Sequence, residues 1–125
     1  AITNRPYVII MILGTGIDII EIHRIQAAAE RWGEAFLNYV FTPVEIDHAR
    51  KYKFPYPHYA GRFAAKEAIF KAIGIPKFTW HDISITNDPD GKPVCVHRDP
   101  DFKLHILLSI SHCRDYAVAS AIVTS

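Results

Sequence analysis

Two stretches of this 125-residue chain carry charges where structure alone has little use for them. The first is the helical run His58 to Ile73, in which Phe63, Ala64, Ala65, Ala68, Ile69, Phe70, Ala72 and Ile73 spread around nearly the whole circumference. A helix of that kind is packed on most sides. It also carries Arg62, Lys66, Glu67 and Lys71, with Lys71 four residues after Glu67 and Lys66 four after Arg62. Such spacing puts each pair on one arc of the helix. Either these are solvated charges on an alanine-rich surface, or they are held at an internal cleft or subunit boundary. In the second case they need partners or ions, because unpaired burial costs several kcal/mol.

The second stretch is Ile12 to Ile20, an apolar strand pattern interrupted by Asp18. Aspartate is disfavoured within strands, so its carboxylate has a specific task. It could cap the following helix, with Glu21 three residues on. Alternatively it could join Glu67 as a hard-oxygen site for a divalent cation. Mg²⁺ is commonly held by one or two carboxylates plus substrate phosphates and water. Ser109-Ile-Ser111-His112 at a strand end reads as a polar terminus, as a Ser/His catalytic dyad, or as hydroxyl and imidazole donors for a phosphate. Cys95-Val-His97 and His112-Cys113 lack the second ligand pair of a zinc site.

These residues must be positioned by the elements around them. Ile12 to Ile20 predicts a buried strand, and Glu21 to Trp32 an amphipathic helix stopped near Gly33. A short helix is expected over Glu34 to Val40. Thr42-Pro43-Val44-Glu45 predicts another helix start, with a threonine cap, a first-turn proline and a glutamate closing a capping box. That helix should run to about Tyr52. Lys53 to Pro57 reads as a turn because of its two prolines. The long helix then runs from His58 to Ile73.

After Pro76 the period changes to two. Asp82 to Thr86 and Pro93 to His97 alternate, with Asp90-Gly91 marking the hairpin turn between them. Leu104 to Ser111 and Tyr116 to Val123 predict a further strand pair. A strand, several helices and then four strands make an α+β domain with a largely antiparallel sheet. Residues 1–10 read as an upstream extension or expression remnant, and residues 11–125 as one domain beginning near Met11, the only methionine.

Composition sets the outer limits. Fourteen Lys+Arg against thirteen Asp+Glu give a net charge of +1, without the basic excess of a nucleic-acid binder. No apolar run reaches the roughly 18–20 residues of a membrane span. Two cysteines cannot build a disulfide framework and fit a reducing cytoplasm.

Read as ordered blocks, the sequence resembles the holo-(acyl-carrier-protein) synthases, small bacterial 4′-phosphopantetheinyl transferases. Gly14-Thr-Gly-Ile-Asp-Ile-Ile-Glu-Ile-His-Arg-Ile25 is similar to their opening block, and Phe41-Thr-Pro-Val-Glu45 to the next. Arg62-Phe-Ala-Ala-Lys-Glu-Ala-Ile-Phe-Lys-Ala72 resembles their most diagnostic helix. Trp80-His-Asp-Ile-Ser-Ile, Asp90-Gly-Lys-Pro93 and Ser109-Ile-Ser-His112 follow in the same order, so the likeness covers about Met11 to Val123.

The resemblance implies an α+β phosphopantetheinyl transferase fold and a homotrimer with active sites between subunits. It implies transfer of 4′-phosphopantetheine from coenzyme A to a serine of apo-acyl carrier protein, releasing adenosine 3′,5′-bisphosphate in support of fatty acid biosynthesis. Asp18 and Glu67 match magnesium ligands, with Mg²⁺ bridging the pyrophosphate. Lys71 matches the cation that neutralises charge on the phosphate oxygens, and Asp18, Glu67 and Lys71 together form the implied catalytic set. Either Glu67 or a metal-bound water could take the serine proton. Arg62, Lys66, Ser111 and His112 fall at implied coenzyme A contacts. Arg24 and Arg31, seven residues apart and so on one helix face, match a basic docking surface for the acidic helix of the carrier protein.

Two segments depart from the family pattern: Gly74-Ile-Pro-Lys77 is shorter and contains proline, and Lys53 to Pro57 is rich in aromatics and proline. Two other functions use the same residues. One is a Mg²⁺-dependent phosphodiester hydrolase, and the other a trimeric binding module with inter-subunit salt bridges.

Overall fold

The structure, a computed structural model, describes residues 9–74 and 79–125. The elements run β1 (Ile12–Glu21), α1 (Ile22–Trp32), α2 (Glu34–Val40), α3 (Pro43–Arg50), α4 (Tyr56–Ile73), a 3₁₀ turn (Trp80–Asp82), β2 (Ile83–Asn87), β3 (Pro93–His97), β4 (His105–His112) and β5 (Tyr116–Thr124). Strands β1, β5 and β4 form an antiparallel sheet in that order, and β2–β3 is a separate antiparallel hairpin. This is the expected α+β class.

Helix α4 lies directly against β1, and two glycines make that possible. A Cβ on Gly14 would stand 1.9 Å from the Ala72 carbonyl oxygen, and one on Gly16 would stand 2.0 Å from that of Ala68. Alanines complete the fit, since Ala64, Ala65, Ala68 and Ala72 of α4 are buried against Ala119, Ala121 and Val123 of β5. A second cluster of Ile22, Ile25, Val40, Phe41, Ile46, Ala49, Tyr59 and Ala60 holds α1, α2 and α3 to the first half of α4.

Strand β1 is not buried as expected. Its inward positions are Gly14, Gly16, Asp18 and Ile20, so the bulky apolar residues alternate outward, with Ile17 65% and Ile19 64% exposed. Leu13 and, across the sheet on β4, Leu107 are exposed too. A helix backbone in contact with the strand leaves room only for small inward residues, which inverts the usual pattern.

Pro57 is the second correction. Helix α4 begins at Tyr56 and takes Pro57 into its first turn, where a backbone N–H has no intrahelical partner to lose. Helix α3 also stops at Arg50, earlier than expected. Among the described residues no helix is long and apolar enough to cross a membrane. The expected extension falls almost wholly on residues 1–8, and the proline-containing loop after Gly74 on residues 75–78; both lie outside the described residues.

Candidate active site

The capping box at α3 forms as expected, and its glutamate does more than cap. Glu45 accepts the Thr42 backbone N–H at 2.8 Å and, through its other oxygen, the Ile85 N–H of β2 at 2.8 Å. Lys66 of α4 meets the same carboxylate at 2.6 Å and also donates to the carbonyls of Val40 (2.9 Å) and Trp80 (2.8 Å). Three acceptors match the three donors of an ammonium. Both side chains are 0% exposed. Burial pulls the Lys66 pKa down, and Glu45 opposes that pull. Lys66 is therefore a core tie between α2, α3, α4 and the 3₁₀ turn. Its expected place among ligand contacts is corrected, because every donor is spent inside the protomer.

The next residue, Glu67, faces a different environment. Asp18 points inward from β1 toward α4, one alternation beyond Gly16. It does not cap α1: the cap residue is Glu21, and no side-chain hydrogen bond caps that helix. Instead Asp18 accepts the Lys71 ammonium at 3.1 Å, while Lys71 also donates to the Ile17 carbonyl at 3.0 Å. Partial burial raises the Glu67 pKa first and the negative charge of Asp18 raises it further, with Lys71 opposing both. The structure thus gathers Asp18, Glu67 and Lys71 where α4 crosses β1.

The charge of Asp18 makes ionisation of Glu67 less favourable, a cost that a small dication held between the two carboxylates would relieve. Among the described residues no group of three or more His, Cys, Asp or Glu gathers as a metal cage. A cation here would take two protein oxygens and fill its other positions from water or substrate, the coordination habit of Mg²⁺. The residues fit that ion.

Arg62 occupies another arc of α4, about 140° around the helix from Glu67 at 100° per residue. It is 5% exposed and donates to the Asn87 side-chain oxygen at 2.6 Å, while its Nε has no partner. Tyr52 stacks on His58 with ring centres 3.6 Å apart, and His58 lies 5.7 Å from His48 and 6.2 Å from His112. His112 therefore joins the Arg62 neighbourhood through His58. Ser111 does not: the strand alternation puts it on the opposite, exposed face. The sequence reading missed His48, Tyr52 and His58. Their signal was the four-residue spacing of His48 to Tyr52 and of His58 to Arg62.

Arg24 and Arg31 are both exposed on α1, and the Arg31 guanidinium lies 4.7 Å from the Trp32 ring centre.

Residues 14–121 match the family described as the 4′-phosphopantetheinyl transferase superfamily. Holo-(acyl-carrier-protein) synthase of Protochlamydia amoebophila is 46% identical over 122 residues, covering 92% of this chain and all of that one. The crystal structure of holo-(acyl-carrier-protein) synthase from Bacillus anthracis in complex with CoA (3′,5′-ADP) superposes with a TM-score of 0.80. That chain is 38% identical, with 92% of this chain and 98% of that chain covered. The enzyme of the same name from Helicobacter pylori, in complex with coenzyme A, gives a TM-score of 0.77 at 32% identity, covering 87% and 98%.

Proposed function

The chain belongs to the 4′-phosphopantetheinyl transferase superfamily, as one of its holo-(acyl-carrier-protein) synthases, and on that footing we propose a reaction for it. It transfers 4′-phosphopantetheine from coenzyme A to a serine hydroxyl of apo-acyl carrier protein, requires Mg²⁺ and releases adenosine 3′,5′-bisphosphate. The observation that carries this reading is the meeting of Asp18, Glu67 and Lys71 at the crossing of β1 and α4.

Asp18 and Glu67 would hold the ion. When bound, Mg²⁺ supplies positive charge for the pyrophosphate oxygens on which charge grows during transfer. Lys71, anchored by the Ile17 carbonyl and the Asp18 carboxylate, presents a second positive charge from a fixed direction. A cation positioned in advance stabilises charge in the transition state without reorganising. Either Glu67 or a water on the ion would accept the proton of the attacking serine hydroxyl. Arg62 and His112 bind nucleotide phosphate at a distance from this centre.

One protomer turns Arg62 and Glu67 to different arcs of α4, and the outer sheet face leaves Leu13, Ile17, Ile19 and Leu107 uncovered. Both features support a homotrimer in which neighbouring copies complete each active site. Arg24 and Arg31 form the docking strip for the acidic helix of the carrier protein. Both cysteines are free, which fits a reducing cytoplasm, and the reaction serves fatty acid biosynthesis.

Intact mass spectrometry of apo-acyl carrier protein incubated with the chain, coenzyme A and Mg²⁺ tests the reading. A gain of one phosphopantetheine group, abolished by EDTA, is the expected result. Consumption of coenzyme A without a carrier protein would indicate a hydrolase instead. No turnover by a folded, assembled protein would leave a binding module.

A further inference from the structure

Arg62 is the least compensated buried charge in the described structure. Lys66, four residues on, has a carboxylate and two carbonyls; Arg62 has one neutral amide, and no carboxylate lies within ion-pairing distance among the described residues. Glu45 acts on Arg62 at a distance, but its oxygens are already engaged by Lys66, Thr42 and Ile85. Arg62 lines a cavity of about 310 Å³ between α3, α4 and β2, whose wall includes Asp47, His48, Lys51, Thr86 and Asn87.

Asp47, His48, Lys51 and Arg62 line this cavity, and Tyr52, His58 and His112 stand behind His48 through a chain of ring contacts. Helix α3 brings Asp47 and His48, and Lys51 follows at its C-terminal end. Tyr52 lies in the segment that follows, His58 and Arg62 on α4, and His112 at the end of β4. Against two permanent cations and three imidazoles stand Asp47 in the wall and, at a distance, Glu45, whose oxygens Lys66 already engages. Burial and the Arg62 charge both hold His48 and His58 below the usual histidine range, and His112 adds to the effect on His58. An anion at Arg62 reverses the dominant local charge, and imidazoles beside it then gain protons.

We infer that His48 and His58 are proton-accepting partners of a phosphate group bound at Arg62, so that coenzyme A binding takes up protons. The inference rests on coenzyme A being the substrate and adds residues and a pH dependence to that reading. The sign follows from linkage: the bound state holds more protons than the free state, so affinity falls as pH rises through the bound-state histidine range. The phosphate comes either from the terminal phosphomonoester of coenzyme A or from its pyrophosphate. A phosphomonoester has its second pKa near 6, so measurements between about pH 7 and 8.5 keep it largely dianionic.

Isothermal titration calorimetry in buffers of different ionisation heat measures the proton count directly, with coenzyme A, dephospho-coenzyme A and inorganic pyrophosphate as probes. Coenzyme A should bind with net proton uptake, and its Kd should rise by up to about tenfold per pH unit for each whole proton taken up. His58→Phe keeps a ring against Tyr52 and should lower the uptake; adding His48→Phe should abolish it and flatten the pH dependence. Histidine NMR titration of the unaltered chain provides a second measurement, in which coenzyme A should shift the His48 and His58 titrations to higher pH.

Uptake with coenzyme A but not with dephospho-coenzyme A supports the monoester as the source, and uptake with both supports the pyrophosphate. Coenzyme A binding with no uptake overturns the inference and leaves the transferase reading intact. Undiminished uptake in the double variant also overturns it. Pyrophosphate binding with uptake, while coenzyme A fails to bind, upholds the histidine site and sinks the substrate reading. If no probe binds, both fall.

Discussion

Lys66 and Lys71 stand five residues apart on α4, and their surroundings differ in a way that separates what holds the fold from what performs chemistry. Lys66 is sealed in the core with a carboxylate at 2.6 Å and two carbonyls, and Glu45 opposite it is equally saturated by two backbone N–H groups. Lys71 is half exposed and shares its carboxylate partner with a second acid, Glu67, which that partner destabilises. Lys66 and Glu45 are complete without a ligand. The cluster around Lys71 sets one cation against two acids, an imbalance that an added cation would relieve, and Arg62 is its mirror image, a buried cation short of an anion. Satisfaction of charge, rather than burial alone, marks the boundary between scaffold and site.

Breaking the scaffold half should give the largest effect. Lys66→Met leaves Glu45 buried without its counter-charge, and removing one member of a buried pair costs about 3–5 kcal/mol. That is a large fraction of the roughly 5–15 kcal/mol available to a domain, so thermal or urea unfolding should show a fall in Tm on the order of 10 °C. Glu45→Met with Lys66→Met should recover part of the loss. Recovery stays incomplete because the Thr42 and Ile85 N–H groups lose their acceptor. A single substitution that costs under about 1 kcal/mol would remove Lys66 from the scaffold.

The opposite signature is expected at the cation site. Glu67→Gln and Asp18→Asn should lower transfer activity on the order of 10²–10³-fold, the usual loss when one electrostatic stabiliser is removed. Neither should lower Tm. The folded-state pKa of Glu67 lies above its unfolded value, so its contribution to stability is present in acid and is lost as pH rises through the folded pKa. Without added metal, Glu67→Gln should therefore match the parent in acid and exceed it at neutral pH. Full activity in both variants would dismiss the site.

Much of this contrast was legible in the residues, though not which charge belonged to which half. The capping box at Thr42 and Glu45, the hairpin at Asp90-Gly91 and the long helix each rest on local rules, and each stands close to its expected position. Pro57 was misread because a proline ends a helix only from the interior and is tolerated in the first turn. Burial of β1 was misread because Gly14 and Gly16 hide the inward face of the alternation. Lys66 and Glu67 are adjacent, and periodicity cannot tell which charge finds a partner 21 residues earlier at Glu45 and which faces Asp18 of β1 across the helix–strand contact. His48 and His58 depended on the packing of α3 against α4, which no local pattern encodes.

The exposed arginines of α1 give the smallest expected effect and test whether the comparison extends to the surface. Arg24 and Arg31 project from a face of α1 opposite the buried Ile22 and Ile25, so losing one of them leaves the core untouched. Arg31 already rests on the Trp32 ring, whereas no ion pair or hydrogen bond engages the Arg24 side chain among those described. By the rule of satisfaction Arg24 is the better candidate for a partner's carboxylate. Arg24→Ala should raise the KM for apo-acyl carrier protein several-fold at low salt, within the range of about 0.2–1 kcal/mol for an exposed pair, with little change in coenzyme A affinity or Tm. The difference should shrink as salt is raised, because exposed charges are screened within about 10 Å at 0.1 M. An unchanged carrier-protein KM at low salt would mean that a free surface charge, unlike an uncompensated charge in the core, carries no functional message here.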